Sequence, residues 1–116
     1  MKYALLLFDN PAAWQDVKPE EMASLAEEYL SVSREPETYG GAQLSSANPK
    51  TVRMRDGELL VTDGPFTETK EVLSGLYLID AESEERALEL ASRIPTVSRM
   101  GGAIELRLVV EREEQP

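Results

Sequence analysis

Cysteine and histidine are both absent from this chain of 116 residues. Without cysteine there is no disulfide framework, no thiol nucleophile and no zinc–thiolate site. Without histidine the chain lacks the commonest general base, pH switch and transition-metal ligand. Any proton transfer must therefore use a carboxylate, a lysine, a tyrosine or water. Clustered carboxylates could hold a hard cation, but no ligand spacing supports one, so we predict neither a metal nor a cofactor.

Basic residues and long apolar runs are also scarce. Twelve lysines and arginines face 22 acids, a net charge of −10, which disfavours nucleic acid and anionic membranes as partners. No apolar run approaches the roughly 20 residues of a membrane span. Residues 1–9 superficially resemble a signal peptide, but the apolar part is short, an acid follows at once and no small-residue cleavage site appears. We expect a first strand there and a cytoplasmic protein.

The size and composition are those of one globular domain. A content of 41% hydrophobic and 29% charged residues is ordinary for a soluble fold, and the length suffices for a substantial core. We expect a single domain over residues 1–116, with a frayed, charged tail at 111–116.

Hydrophobic patterning and turn residues predict the order of the elements. Residues 2–8 and 75–80 are apolar on both alternating faces, which is typical of strands covered on both sides. Asp56-Gly57 between two extended runs predicts a hairpin. The full expected order is a strand at 2–8, a loop at 12–18, a helix from Pro19 that stops before Pro36, a turn at Gly40-Gly41, a short strand at 42–46, a hairpin over 51–62, a strand at 75–80, a helix capped by Ser83 with Pro95 at its end, and a last strand after Gly101-Gly102.

Two helical stripes are predicted to be buried, because their apolar residues recur at three- and four-residue steps. The stripes are Met22, Leu25, Ala26, Tyr29 and Val32 in the first helix, and Ala87, Leu88, Leu90, Ala91 and Ile94 in the second. The only tryptophan, Trp14, lies in the preceding loop and is interpreted as a loop anchor or, alternatively, a ligand-facing ring.

This order of elements predicts an α+β fold, ferredoxin-like βαββαβ with an inserted β-hairpin. Right-handed crossovers place both helices on one face of the sheet, yet the central strands are apolar on both faces. A second copy of the chain is the simplest cover for the bare face. We therefore predict a homodimer whose two sheets face each other.

The segment 63–71 is the densest cluster of conformationally restricted and ionisable residues. Asp63-Gly64 is a turn pair, Pro65 fixes its own φ, and Phe66 can anchor the loop in an apolar pocket. Two hydroxyls, two carboxylates and the Lys70 ammonium follow. A loop restricted in this way presents its charges with little entropy left to lose.

This segment, with Gly75 and the strand 76–79, resembles the YCII-related proteins of the DGPF type. The resemblance reaches back to Thr51-Val52-Arg53 and the Gly40-Gly41 turn, and forward through Pro95 to the segment 104–107. It implies a dimeric α/β barrel, often encoded in bacteria beside extracytoplasmic-function sigma factors, and usually without an assigned activity. Some wider YCII relatives use a His-Asp pair in the dimer cleft; only Asp63 has a plausible counterpart here, so that mechanism cannot be carried over.

The candidate site residues each have two interpretations. As catalytic groups, Asp63 and Glu71 would move a proton; alternatively Asp63 organises its own turn, and Glu68, Lys70 and Glu71 form a solvated charge run. The candidate ligand contacts are Pro65, Phe66, Lys70, Tyr77, Glu105 and Arg107. Phe66 is alternatively a core residue, and Glu105 with Arg107 either lines the enclosed space or forms a solvated edge pair.

Three functional hypotheses follow. The first is a dimer with a pocket lined by the loop 63–71, which binds a small molecule or a protein partner, with a sigma factor expected from the family alone. The second is an isomerase, lyase or dehalogenase. In it Asp63 or Glu71 would move a proton, and Lys70 or Arg107 would stabilise the negative charge that develops. The third is a purely structural dimer.

Overall fold

The computed structural model describes residues 1–66 and 70–112. The strands are β1 (Lys2–Asp9), β2 (Thr38–Gln43), β3 (Lys50–Arg55), β4 (Glu58–Asp63), β5 (Val72–Asp80) and β6 (Ala103–Leu108). The helices are α1 (Pro11–Trp14), α2 (Pro19–Ser33), α3 (Glu84–Ser92) and α4 (Pro95–Ser98). No helix in the described ranges is long and apolar enough to cross a bilayer.

One sheet of four antiparallel strands organises the domain, in the order β2-β5-β1-β6. Each helical crossover connects two strands that are separated by one other strand, β1 to β2 and β5 to β6. The fold is therefore α+β, and its strand order is consistent with the predicted ferredoxin-like pattern.

The hydrophobic core lies on one face of this sheet. Alternation along β1 turns Tyr3, Leu5 and Leu7 to that face, where Tyr77 and Ile79 of β5 join them. The helices add fully buried side chains, listed here by element: Leu25 and Val32 from α2, Leu90 from α3, and Ile94 just before α4. Burial of one such side chain contributes about 1.5–3 kcal/mol, so this face holds the domain together.

The opposite side of the sheet, called here the open face, carries the alternate residues. Register places Leu6 opposite both Leu76 and Glu105, and Ala4 opposite both Leu78 and Arg107. The centre of the open face is thus aliphatic, and its β6 edge is charged. The core cluster does not extend to this side.

The hairpin β3–β4, residues 50–63, is called here the arm. Asp56 and Gly57 turn it with φ of 51° and 80°, as the Asp-Gly signal predicts. Its strands pair only with each other, apart from the sheet. The predicted hairpin is confirmed, and the arm projects from the body.

Some element predictions were wrong in detail. Residues 11–14 form a short helix rather than a loop, because Pro11 suits a first helical position and the Asn10 side chain accepts a 3.0 Å hydrogen bond from the Ala12 amide. Gly40 and Gly41 lie inside β2 rather than in a turn. A Cβ on Gly41 would come 2.7 Å from the Leu76 carbonyl oxygen, so close strand approach explains that glycine.

The two helical stripes were also predicted too broadly. Leu88 is exposed on α3, since it points away from the sheet. Met22 and Ala26 are exposed on α2 and line a cleft instead of the core.

Candidate functional site

A cleft of about 1270 Å³ opens between α2 and the half of the sheet formed by β2 and β5. One wall is an apolar stripe on α2, in which Met22, Ala26 and Leu30 recur every four residues. Met22 and Leu30 remain 46% and 47% exposed. The opposite wall is strand β2, including Tyr39. The cleft is therefore apolar but open.

Two stacked aromatic rings form one end of the cleft. The Trp14 and Tyr29 ring centroids lie 6.3 Å apart with planes at 28°. The short helix α1 places Trp14 there, and Tyr29 lies on the inner side of α2. Trp14 thus lines the cleft as well as anchoring its own segment.

The Tyr29 hydroxyl is held at 2.8 Å from the Thr96 hydroxyl, which is fully buried. Burial raises the pKa of Tyr29 to about 12, and the hydrogen bond to Thr96 opposes part of that rise. The phenol is therefore neutral at physiological pH, and its hydroxyl is held by Thr96.

Tyr77, a predicted ligand contact, lines the same cleft from the sheet side. Its hydroxyl donates a 2.9 Å hydrogen bond to the Tyr29 carbonyl oxygen, and burial raises its pKa. A buried tyrosine hydroxyl requires a hydrogen-bond partner, and here the backbone of α2 supplies it. Tyr77 therefore fixes the helix against the sheet, and its side chain lines the cleft.

A carboxylate, Asp9, completes the cleft at the end of β1. The Ser74 hydroxyl donates to Asp9 Oδ2 at 2.5 Å, from the position where a bulge interrupts the pairing of β1 and β5. Asp9 Oδ1 is buried and has no hydrogen-bond partner among residues 1–66 and 70–112. An unsatisfied buried acceptor costs about 1–3 kcal/mol, and such groups are rare enough in folded proteins to suggest a functional role.

Asp9 and Ser74 were not among the predicted site residues. In the sequence, Asp9 marks only the end of an apolar strand. The available signal was an acid that directly follows such a strand, but nothing local indicates that a bulge in β5 brings a serine to it.

The cleft has a negative electrostatic character. No lysine or arginine is among the described residues that line it, and Asp9 adds a carboxylate. A low-dielectric wall concentrates this field, so the site suits neutral or cationic molecules better than anions.

The Asp63–Phe66 segment lies elsewhere, at the root of the arm. Asp63 forms an ion pair with Lys50 across the arm. Gly64 has a φ of +99°, and its amide donates to the Pro49 carbonyl at 2.8 Å. The segment therefore closes the hairpin, and Pro65 follows the turn outside the cleft.

Phe66 lies outside the core of the single chain, so the alternative that it is a core residue was wrong. Its side chain is 73% exposed, and the Arg53 guanidinium lies 4.7 Å from its ring centroid. Its role as a ligand contact stays a prediction. Thr67, Glu68 and Thr69 lie outside the described residues.

The remaining predicted residues gather at the β6 edge of the sheet. Lys70, Glu71 and Glu105 line a shallow depression beside Phe8. Arg107 and Glu105 pair at 3.5 Å on the open face, with side chains 67% and 52% exposed. The predicted set is therefore divided among the cleft, the arm root and this edge, and the catalytic roles of Asp63 and Glu71 stay predictions.

No group of three or more carboxylates placed to hold a metal ion occurs within the described residues. Several acids of the described residues are held in ion pairs instead. Arg86 of α3 pairs with Glu37, Glu35 and Glu89, with Glu37 at 2.6 Å.

Comparison with known proteins places this architecture in a family. Residues 1–113 match the model of the YCII-related domain. An uncharacterised protein of Rhizobium meliloti (strain 1021) is 31% identical over 112 residues, which cover 92% of this chain and 90% of that protein. The chain belongs to the YCII-related family.

Proposed function

We propose that this protein is a homodimer that binds a neutral or cationic, largely apolar small molecule in the cleft. The observation that carries this proposal is the Trp14–Tyr29 stack beside Asp9, whose Oδ1 has no hydrogen-bond partner in the part of the chain that the structure describes. Ligand sites are typically apolar concavities of about 300–1,000 Å³ with a few polar groups that orient the ligand. The cleft offers that combination of an apolar wall and few polar groups, in a somewhat larger volume of about 1270 Å³.

The ligand chemistry follows from the walls. The aromatic stack and the α2 stripe accept a flat apolar body, because rings gain from offset stacking and area burial. The Asp9 charge attracts an N–H or ammonium group toward the closed end. An anionic ligand would meet this carboxylate with no lysine or arginine from the described lining to compensate.

Dimerisation is supported by the open face. Leu6, Leu76 and Leu78 form its aliphatic centre, and the helices pack on the other side. A continuous apolar face on a stable soluble domain usually marks an interface. A two-fold interface lets each sheet cover the other with the same surface, which yields the dimeric α/β barrel.

The cleft assignment is tested with Nile red, a neutral flat dye. Ala26→Phe fills the cleft, whereas Ala23→Phe adds the same group on an exposed part of α2 outside it. Because Trp14 is the only tryptophan, quenching of its emission reports dye bound nearby. We expect saturable quenching in the unmodified protein and Ala23→Phe, and at least tenfold weaker binding in Ala26→Phe. Equal binding in both variants would overturn the cleft assignment.

The dimer is tested by sedimentation of Leu6→Gln and Leu88→Gln. Leu6 is central on the open face, and Leu88 is exposed on α3. We expect Leu6→Gln to raise the dimer dissociation constant at least tenfold, or about 1.4 kcal/mol, and Leu88→Gln to leave it unchanged. No difference between the two would place the interface elsewhere.

The more specific expectations stay predictions. A sigma-factor partner, membership of the DGPF type and a cytoplasmic location rest on the sequence resemblance and composition. The acid–base enzyme alternative has Lys70, Glu71 and Glu105 in one shallow depression, whereas the exposed Asp63 carboxylate pairs with Lys50 at the root of the arm.

A further inference from the structure

The arm is an amphipathic ribbon with an uncovered apolar face. Pairing Val52 with Val61 and Met54 with Leu59 places four apolar side chains on one face. These are 61%, 52%, 67% and 65% exposed, respectively. A two-stranded hairpin is at best marginally stable alone in water, so a ribbon with this face requires a cover.

The arm's own body does not provide that cover. The radius of gyration is 16.5 Å and the extents are 48 × 46 × 18 Å. A compact domain of this length would have a radius of about 13 Å. The excess reflects a ribbon that extends away from the sheet instead of folding back on it.

A matching surface exists on the same chain. Exposed apolar side chains form the rim of the cleft on α2, β2 and the segment after it: Met22, Leu30, Tyr39 and Leu44. The cleft is also larger than the range of about 300–1,000 Å³ typical of small-molecule pockets, so it has room for a further wall.

One cation lies on the docking face. Strand alternation puts Lys50 on the same face as Val52 and Met54, opposite its ion-pair partner Asp63, whereas Arg53 and Arg55 lie on the other face. Docking would bring Lys50 toward Glu20 and Glu21, which lie in the first turn of α2 next to Met22.

We propose that in the homodimer each arm packs its apolar face on the cleft rim of the partner subunit and closes that cleft. The inference rests on the dimer proposed above and adds that each site includes residues of the other chain. A six-residue strand reaches about 20 Å, and the arm lies in sequence between two parts of the cleft lining, residues 44–46 and Val72. A two-fold exchange would therefore cover two ribbons and close two clefts together.

Two adjacent leucines provide a matched test by sedimentation. Leu59 is on the apolar face, and Leu60 is on the other face opposite Arg53. We expect Leu59→Ser to weaken the dimer about a hundredfold. The apolar area lost at each of the two arms should weaken association roughly tenfold. We expect Leu60→Ser to change it less than threefold. Equal effects of the two substitutions would overturn the proposed packing.

Disulfide trapping tests the receiving surface, since the chain contains no cysteine. Met54→Cys and Leu30→Cys subunits are refolded together and oxidised mildly, with Arg55→Cys and Leu30→Cys as the control pair. We expect an interchain disulfide in the first mixture and none in the control. A stable dimer without the first crosslink would overturn arm docking while the proposed dimer stands, whereas a monomer would overturn both.

Discussion

Replacing Tyr29 by phenylalanine should separate two contributions of the cleft end to stability. At neutral pH the substitution removes the 2.8 Å hydrogen bond to Thr96, which is fully buried. We expect a loss of about 1–2 kcal/mol in the free energy of unfolding, because the Thr96 hydroxyl then lacks its partner. At alkaline pH the same substitution should reduce the loss of stability, because phenylalanine cannot ionise.

The alkaline effect follows from the pKa of Tyr29, which burial raises from 10.0 to about 12. A raised pKa means that the folded state holds its proton more tightly than the unfolded chain does. The corresponding stability is complete below pH 10 and is lost as the pH rises from 10 toward 12. Two pKa units, at about 1.4 kcal/mol each, set an upper bound on the free energy of unfolding that is lost. Because the ring is partly exposed, we expect a loss of about 1–2 kcal/mol.

Urea unfolding between pH 8 and 11.5, followed by far-ultraviolet circular dichroism, measures both effects. The unmodified protein should lose stability above pH 10, and Tyr29→Phe should decline less steeply, with a residual slope from Tyr77, whose pKa burial also raises. Ultraviolet titration of the tyrosines should show, in Tyr29→Phe, one fewer group that ionises at high pH than in the unmodified protein. Parallel declines in both proteins would refute the argued burial of Tyr29.

Three other substitutions test the fold. Leu25→Ala should cost about 2–5 kcal/mol in urea unfolding, whereas Leu30→Ala on the exposed side of the same helix should cost under about 1 kcal/mol; comparable losses would contradict the assigned core. Arg86→Met should raise the midpoint pH of acid unfolding, because Arg86 lowers the pKa of Glu37 and the resulting stability is lost as pH falls through that lowered value; an unchanged midpoint would count against this pair. Asp63→Asn should change stability by less than about 1 kcal/mol, since its ion pair is exposed, and a larger loss would indicate a structural role for the carboxylate.

The secondary structure was largely predictable because its signals are local. Asp56-Gly57 specifies the arm through the positive φ of both residues, and Ser83 caps α3 by accepting a hydrogen bond from the Arg86 amide. The doubly apolar strand β1 indicated a central position in the sheet. Strand order then followed from the handedness of crossovers.

The cleft could not be predicted because it depends on tertiary contacts. Periodicity made Met22 and Leu25 equivalent members of one stripe, yet Leu25 is buried and Met22 is 46% exposed. Met22 lines the cleft between α2 and the sheet, and no residue pattern in α2 encodes that cleft. Likewise, Ser74 reaches Asp9 only through a bulge in β5.

The covered open face and the closed clefts both require two copies of this chain that share their sheets and arms. Native mass spectrometry of the unmodified protein across a range of micromolar concentrations measures this directly. We predict a predominant species of twice the 12.9 kDa chain mass. A single-chain mass at every concentration would contradict the dimer, and with it both the covered open face and the exchanged arms.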